Sequence, residues 1–326
     1  MLASPKKQRG IALITVLMIL AIMVTIAATM TGRLTLSLKR TEGLIFSQSV
    51  YWYGQAAGDF GRMVLEQDFS DSSIISLDQN WALPEMVFPL ENGSIAGEFK
   101  DLRSCFNLNT LAEKDKGDVR ARPVKQFESL LIELGINDYT AEMIAESSRD
   151  WIDTDDESNV AQGAEDSTYQ ALAVAHLAAN NLMVDISELR AVQGVGQKIF
   201  ERIAPYLCAI PSAEQKINVN TVQIEQAAIL YVLFKDELSL SLEDFTQLLE
   251  DRPTSGWNSV NDFLASSVFG SSSISSDVTN ELSVTSDYFQ LNAVADFQER
   301  SNAIQVLYEI NDKKATVIRY QSGGLK

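Results

Sequence analysis

From Ile11 to Gly32 the chain runs for 22 residues without a charged side chain, IALITVLMILAIMVTIAATMTG. A helix rises about 1.5 Å per residue, so this stretch reaches roughly 33 Å, enough to cross a hydrocarbon core of about 30 Å. Lys6, Lys7 and Arg9 precede it and Arg33 follows. The positive-inside rule keeps the first basic cluster in the cytoplasm and exports everything after Arg33. The expected layout is therefore a single-pass inner-membrane protein with a cytoplasmic N-terminus and a periplasmic C-terminal domain. An ordinary signal peptide would carry an apolar region of about 7–15 residues ending in a small-x-small cleavage site. The run here is longer, and Ala27-Ala28-Thr29 is a poor match to such a site.

The formal net charge of the chain is −18, and residues 1–32 carry +3, which leaves −21 for residues 33–326. A domain so acidic repels nucleic acid and anionic lipid and attracts cations. Two cysteines, Cys105 and Cys208, and one histidine, His176, are too few for a structural zinc site of the usual four Cys or His ligands. In an oxidising compartment the cysteines could pair, closing a loop worth about 4–5 kcal/mol in the chain-entropy model; two free buried thiols are the alternative.

The basic leader ends at Gly10 and the apolar run begins at the next residue. KKQRG followed by IALITVLMIL resembles the leader of type IV prepilins and type II secretion pseudopilins. The resemblance implies that residues 1–10 are a leader removed by a prepilin peptidase. Cleavage would fall after Gly10, and Ile11 would become the N-methylated first residue. Residues 11–32 would survive as the membrane and assembly helix. Such subunits nearly always carry a glutamate five residues after the cut, and this chain has Thr15 there. In a filament that glutamate can neutralise the buried terminal amine of the subunit ahead, because an unpaired charge in hydrocarbon is costly. A subunit at the tip has no neighbour ahead and can lack the carboxylate.

Beyond the membrane segment, residues 33–66 keep helical spacing, with Leu34, Leu38, Ile45, Trp52, Ala56, Phe60 and Met63 on one stripe expected to pack on a sheet. Residues 67–92 read as loop. Ser94–Leu102 alternates as a strand, and strand patterns return at Tyr288–Asp296, Ser301–Asn311 and Ala315–Gln321. Between them lie helical patterns at Pro123–Leu134, Thr140–Ile152, Thr168–Asn180, Ile186–Val192, Lys198–Leu207, Thr221–Phe234 and Leu242–Leu249. The fold class is α+β: a long N-terminal helix on a small antiparallel sheet formed by 67–104 and 286–326, with an all-helical insertion at 105–285. The serine-rich stretch Ser266–Ser276 reads as a mobile loop. Phe106-Asn-Leu-Asn-Thr110 and Ile217-Asn-Val-Asn-Thr221 echo one another, and each places Asn-Thr where a side chain can cap a helix.

The densest chemistry lies at Asp150, Asp153, Asp155, Asp156, Glu157, Glu165 and Asp166, seven carboxylates in seventeen residues with no base after Arg149. The alternation of Asp153, Asp155, Glu157 and Asn159 has the early-ligand rhythm of a calcium loop. An EF-hand needs glycine at loop position 6 and glutamate at 12, where this chain has Ser158 and Ala164, so the loop is not an EF-hand. A solvated acidic loop is the plain alternative. Further on, Ile186–Ile203 reads as helix, Gly194-Val-Gly196 turn, helix. It resembles a helix-hairpin-helix (SAM-like) segment, but only Lys198 and Arg202 offer charge to a phosphate, so glycine-mediated helix packing explains it better than DNA binding. No nucleophile–base pair or cofactor fingerprint is readable, which points away from an enzyme.

Taken together, the leader without its glutamate, FNLNTL, DWIDTDDE with GAED and Tyr169, SELRAVQGVG, INVNT and SDYFQL resemble the general secretion pathway protein K (GspK) family. Its members are the large minor pseudopilins of Gram-negative type II secretion. The resemblance implies a pseudopilin fold with a helical insertion, and calcium bound by Asp153, Asp155, Glu165 and Asp166. Asp156, Glu157 and a carbonyl near Ala161 would be further ligands. It also implies a tip complex with the minor pseudopilins I and J, contact with the pseudopilins G and H, and no nucleic-acid partner. A minor pilin of a type IV pilus, serving adhesion or DNA uptake, is the alternative reading; a membrane-anchored periplasmic enzyme is another.

Overall fold

The computed structural model describes residues 11–84, 86–90, 93–115, 117, 119–158, 160–270, 272–297 and 300–323. The leader with Gly10, and Asn159, lie outside them. Helix α1 spans Ile11–Asp71, 61 residues, or roughly 90 Å at a helical rise. It continues one turn past the expected end at residue 66. That turn buries Phe69 edge-on against Phe289 with ring centroids 5.8 Å apart. It also buries Asp68, whose carboxylate accepts from the Trp81 backbone N–H at 2.8 Å and the Asn80 amide at 2.7 Å.

The sheet takes five strands in the order β1 (Met86–Leu90), β2 (Gly93–Asp101), β7 (Tyr288–Phe297), β8 (Arg300–Asn311) and β9 (Lys314–Ser322), each neighbour antiparallel. The remaining strands are the short β3 (Phe106–Asn107), β4 (Leu207–Cys208), β5 (Ile217–Asn218) and β6 (Leu282–Ser283). Strand β1 falls within residues 67–92, which read as loop from their Asp, Ser and two prolines, Pro84 and Pro89. An edge strand tolerates proline, which lacks only an N–H the ladder does not need there.

The face of α1 that meets the sheet is not the expected one. Val50, Gly54, Ala57, Gly58, Gly61 and Leu65 are buried. Leu34, Leu38, Ile45, Ala56, Trp52 and Met63 are exposed, Trp52 by 60% and Met63 by 61%, and Phe60 is only partly covered. The reason is volume. Phe99, Tyr308 and Tyr320 rise from the sheet, so the helix must supply space rather than bulk. A Cβ on Gly61 would lie 2.6 Å from the Tyr308 hydroxyl and 3.0 Å from Phe99 Cζ. With no Cβ there, Tyr308 reaches the helix and donates to the Gly58 carbonyl at 2.8 Å.

Strands β2 and β7 are neighbours, Asp101 opposite Phe289, so residues 102–287 leave and re-enter the sheet at one point. Two lobes fill that insertion. The first holds α2 (Arg122–Glu133), α3 (Asp138–Ile152), α4 (Asp166–Gln170) and α5 (Gln197–Ile203), closed by the parallel pair β3–β4. The second holds α6 (Ala227–Phe234), α7 (Leu242–Glu250), α8 (Val260–Leu264) and α9 (Ser276–Asn280), closed by the parallel pair β5–β6. The insertion is thus not all helical. Helix α4 stops at Gln170, so the helix expected to continue to Asn180 is absent. The serine-rich stretch contains a turn at Ser267–Phe269 that buries Phe269 in the second lobe's core.

The echoed asparagines are staples between segments. The Asn109 side chain donates to the carbonyls of Met183 and Ile210, at 2.9 and 2.7 Å, and accepts from Met183 N–H at 2.7 Å. Asn220 does the same to Trp257, donating at 3.0 Å and accepting at 2.7 Å. At the junction Asp101 is buried and accepts from Thr221, Ser286 and the Arg103 N–H at 2.5, 2.6 and 2.8 Å. Arg103 forks onto Asp287 at 2.6 and 3.0 Å. Cys105 and Cys208 are joined as a disulfide beside them, with Cα atoms 5.8 Å apart.

Two predictions follow from this packing. Gly61→Val forces the Tyr308 and Phe99 rings away and should cost about 1–3 kcal/mol, read as a lower urea midpoint of the detergent-solubilised chain. Burial pushes the Asp101 carboxyl up to about 6, against hydrogen bonds from Ser286, Thr221 and Arg103 that favour its charge. Folded Asp101 therefore keeps its proton to higher pH than the unfolded chain. The stability it contributes is greatest below its ordinary value of 3.8 and is lost as pH rises through about 6. Asp101→Asn removes that slope, so wild type should lose on the order of 3 kcal/mol relative to the variant across this window, measured by unfolding at stepped pH.

Candidate metal centre

Helix α3 is capped at its start by Asn137, whose side chain accepts from Thr140 N–H at 3.0 Å. Its last turn is buried and polar. Arg149 bridges Asp115 at 2.9 Å, and Glu146 pairs with Arg120 at 2.5 Å, so these arginines are spent on other acids. Asp150 and Asp153, three residues apart at the helix end, point to one side. The chain then loops out and returns at Gly163 with Glu165 at the start of α4. Gly163 permits that return, since a Cβ there would collide with the Asp150 carboxylate, its Cγ at 3.0 Å, and sit 3.2 Å from the Val160 carbonyl oxygen.

One carboxylate oxygen from each of Asp150, Asp153 and Glu165 lies within 4.8 Å of the others. Two oxygens held 2.3–2.6 Å from one calcium ion lie at most about 5 Å apart, so the spacing fits a shared ion. Glu165 is only 3% exposed, and among the described residues neither of its oxygens accepts a hydrogen bond. Burial pushes its carboxyl up to about 8, aided by the negative charges of Asp150, Asp153, Asp155 and Asp156. A buried carboxylate among other carboxylates, with no hydrogen-bond donor, is stabilised by a cation or by a proton. The donor set is all oxygen, which suits a hard cation such as calcium.

Of the residues singled out from sequence, Asp153 and Glu165 come together. Asp155, Asp156 and Glu157 are exposed. Asp155 accepts from Glu157 N–H at 3.1 Å, and Asp156 accepts from the Asn180 amide at 2.9 Å. Asp166 accepts from Ala178 N–H at 2.9 Å. The member not singled out as a ligand is Asp150. Its i, i+3 relation to Asp153 was the available signal, masked by the two-residue rhythm that follows.

The glycine turn behaves as packing. Gly194 has φ +85°, and a Cβ on it would meet Met143 Cε at 2.7 Å and Ile144 Cγ1 at 3.0 Å on α3. Helix α5 is seven residues long.

Comparison with known proteins places this architecture. Residues 104–212 and 217–285 each match a family described as type II secretion system protein K, and the two segments coincide with the two lobes. The chain is 37% identical over 330 residues to type II secretion system protein K of Aeromonas hydrophila, covering 98% of this chain and 99% of that one. The Pectobacterium carotovorum protein of the same name is 34% identical, with 98% of each chain covered. A chain of the crystal structure of the GspK-GspI-GspJ complex from enterotoxigenic Escherichia coli superposes with a TM-score of 0.79 at 33% identity, covering 87% of this chain and 99% of that chain. A membrane-length apolar helix, a pilin-like helix-on-sheet body, a two-lobed insertion and full-length relatives agree: the chain belongs to the type II secretion system protein K family.

Proposed function

We propose that the chain is a minor pseudopilin at the tip of the type II secretion pseudopilus, joined there to the minor pseudopilins I and J above pseudopilins G and H. Its role would be structural rather than enzymatic. One observation carries the reading. Only the second half of α1 seats on the sheet, through its small-residue face, and the first buried residue is Val50. Residues 11–42 are exposed throughout, including the apolar membrane-length segment, and none is buried before Val50. A helix built this way is completed by a bilayer and then by neighbouring helices.

Thr15 supports the tip position. Its hydroxyl donates to the Ala12 carbonyl of its own helix at 2.9 Å, so it asks nothing of a neighbouring subunit in hydrocarbon. With the cytoplasmic side set by Lys6, Lys7 and Arg9, the sheet and lobes face the periplasm. The protein purified from membranes should begin at N-methylated Ile11, seen by intact-mass and N-terminal sequencing. An intact Met1, or a cut after Ala28, would sink the pseudopilin reading.

The centre formed by Asp150, Asp153 and Glu165 is proposed to hold calcium. Bound there, calcium would supply the positive charge those carboxylates lack and pin the end of α3 to the start of α4. Calcium at a hundredfold its dissociation constant should add about 2.7 kcal/mol to the stability of the full chain in detergent, and magnesium much less. Glu165→Gln should act with opposite signs: neutral or stabilising in chelator, where it removes a buried acid, and destabilising in calcium. A loss of equal size in both conditions would end the ligand assignment.

A further inference from the structure

The segment after α4 has the composition of a helix, Ala171-Leu-Ala-Val-Ala-His-Leu-Ala-Ala, yet it runs irregular to Asn180 with its large apolar side chains turned outward. Leu172, Val174 and Leu177 are 49%, 81% and 56% exposed. Water-facing apolar residues cost nothing when scattered singly, but a cluster on one ordered loop marks a contact surface.

The loop is held in place from beneath. Asp166 accepts from Ala178 N–H and Asp156 from the Asn180 amide, both at 2.9 Å. The His176 ring lies 5.0 Å from that of Tyr169 and 6.0 Å from that of Trp151. Its nitrogens sit 3.0 Å from the Val174 carbonyl and 3.3 Å from that of Ala191. Polar tethers and one inward ring fix the backbone while the leucines and Val174 face out.

The surroundings say what can land there. From Asp150 to Asn181, the stretch that carries and tethers the loop, the sequence contains seven carboxylates and neither lysine nor arginine. Such a field rejects nucleic acid and anionic lipid and attracts basic side chains. We propose that Leu172, Val174 and Leu177 form a docking surface for a protein partner that presents apolar side chains bordered by lysine and arginine. The surface does not depend on the metal reading. Its tethers are Asp156 and Asp166, outside the group of three carboxylates, and Val174→Asp leaves that group untouched.

The test is photo-crosslinking in cells that assemble the complete secretion system, with benzoylphenylalanine in place of Leu177 in the full-length chain. The expected result is a protein adduct whose crosslinked peptide, read by mass spectrometry, carries apolar residues flanked by lysine or arginine. Val174→Asp, at a site too exposed to unfold the chain, should cut the adduct by about tenfold, in line with loss of a central contact. Raising salt in spheroplasts should lower the yield as well. The proposal is overturned by no adduct, by an adduct to lipid, by a crosslinked peptide lacking basic residues, or by a yield indifferent to Val174→Asp. The calcium-dependent gain in stability should survive Val174→Asp, so failure of this surface and failure of the metal centre are read separately.

Discussion

The body of the protein depends on a clamp where the insertion leaves the sheet. Residues 102–287 exit at Asp101 and return opposite it, so a small junction must fix the attitude of two lobes. Asp101 does so with one buried carboxyl that joins the end of β2, the start of the second lobe through Thr221, and the return strand through Ser286. Arg103 adds the fork to Asp287 and donates to the Glu214 carbonyl at 3.0 Å, reaching the linker between lobes. The disulfide ties the first lobe's closing strand to the same place and sits among Leu102, Ile210, Tyr288 and Leu307. A buried carboxyl is expensive unless several donors meet it, and here three segments supply those donors together. Removing any one of the segments leaves the others unsatisfied, which makes the junction cooperative.

The long helix is governed by a different constraint, steric rather than electrostatic. Its second half must touch a sheet crowned by tyrosines while leaving its large apolar side chains available elsewhere. The apolar stripe was legible as helical period, and the α+β class with strands at both ends of the insertion was legible from alternation. Which face turned inward was not. Hydrophobicity ranks Trp52 and Met63 above Gly54 and Gly61, whereas packing against Tyr308 and Tyr320 ranks them the other way. A glycine stripe signals close approach only when one knows what approaches, and that came from strands more than two hundred residues away.

The acidic site shows the same limit at shorter range. Its charge density was plain in the sequence, and a hard cation was the expectation drawn from it. The grouping was not, because the alternation Asp153, Asp155, Glu157 suggests a loop that wraps an ion, while the chain instead ends a helix with two acids on one side and folds a third back through Gly163. Asp155 and Asp156 then turn to tether backbone and side chains. Asp156 in particular reaches Asn180 across the turn rather than the centre.

That tethering also explains why Ala171–Asn180 fails to be the helix its composition favours. Helix propensity differs by only a few tenths of a kcal/mol per residue among ordinary residues. A hydrogen bond to a charged group contributes about 1.5–3 kcal/mol. Asp166 takes the Ala178 N–H that a continued helix would have given to a carbonyl four residues back, and His176 is drawn inward between Tyr169 and Trp151. Once those contacts form, a continuous helix cannot satisfy them, and its apolar face is left on the outside. Local preference therefore yields to a carboxylate placed by the neighbouring centre, and the chain displays leucine and valine where a helix would have hidden half of them.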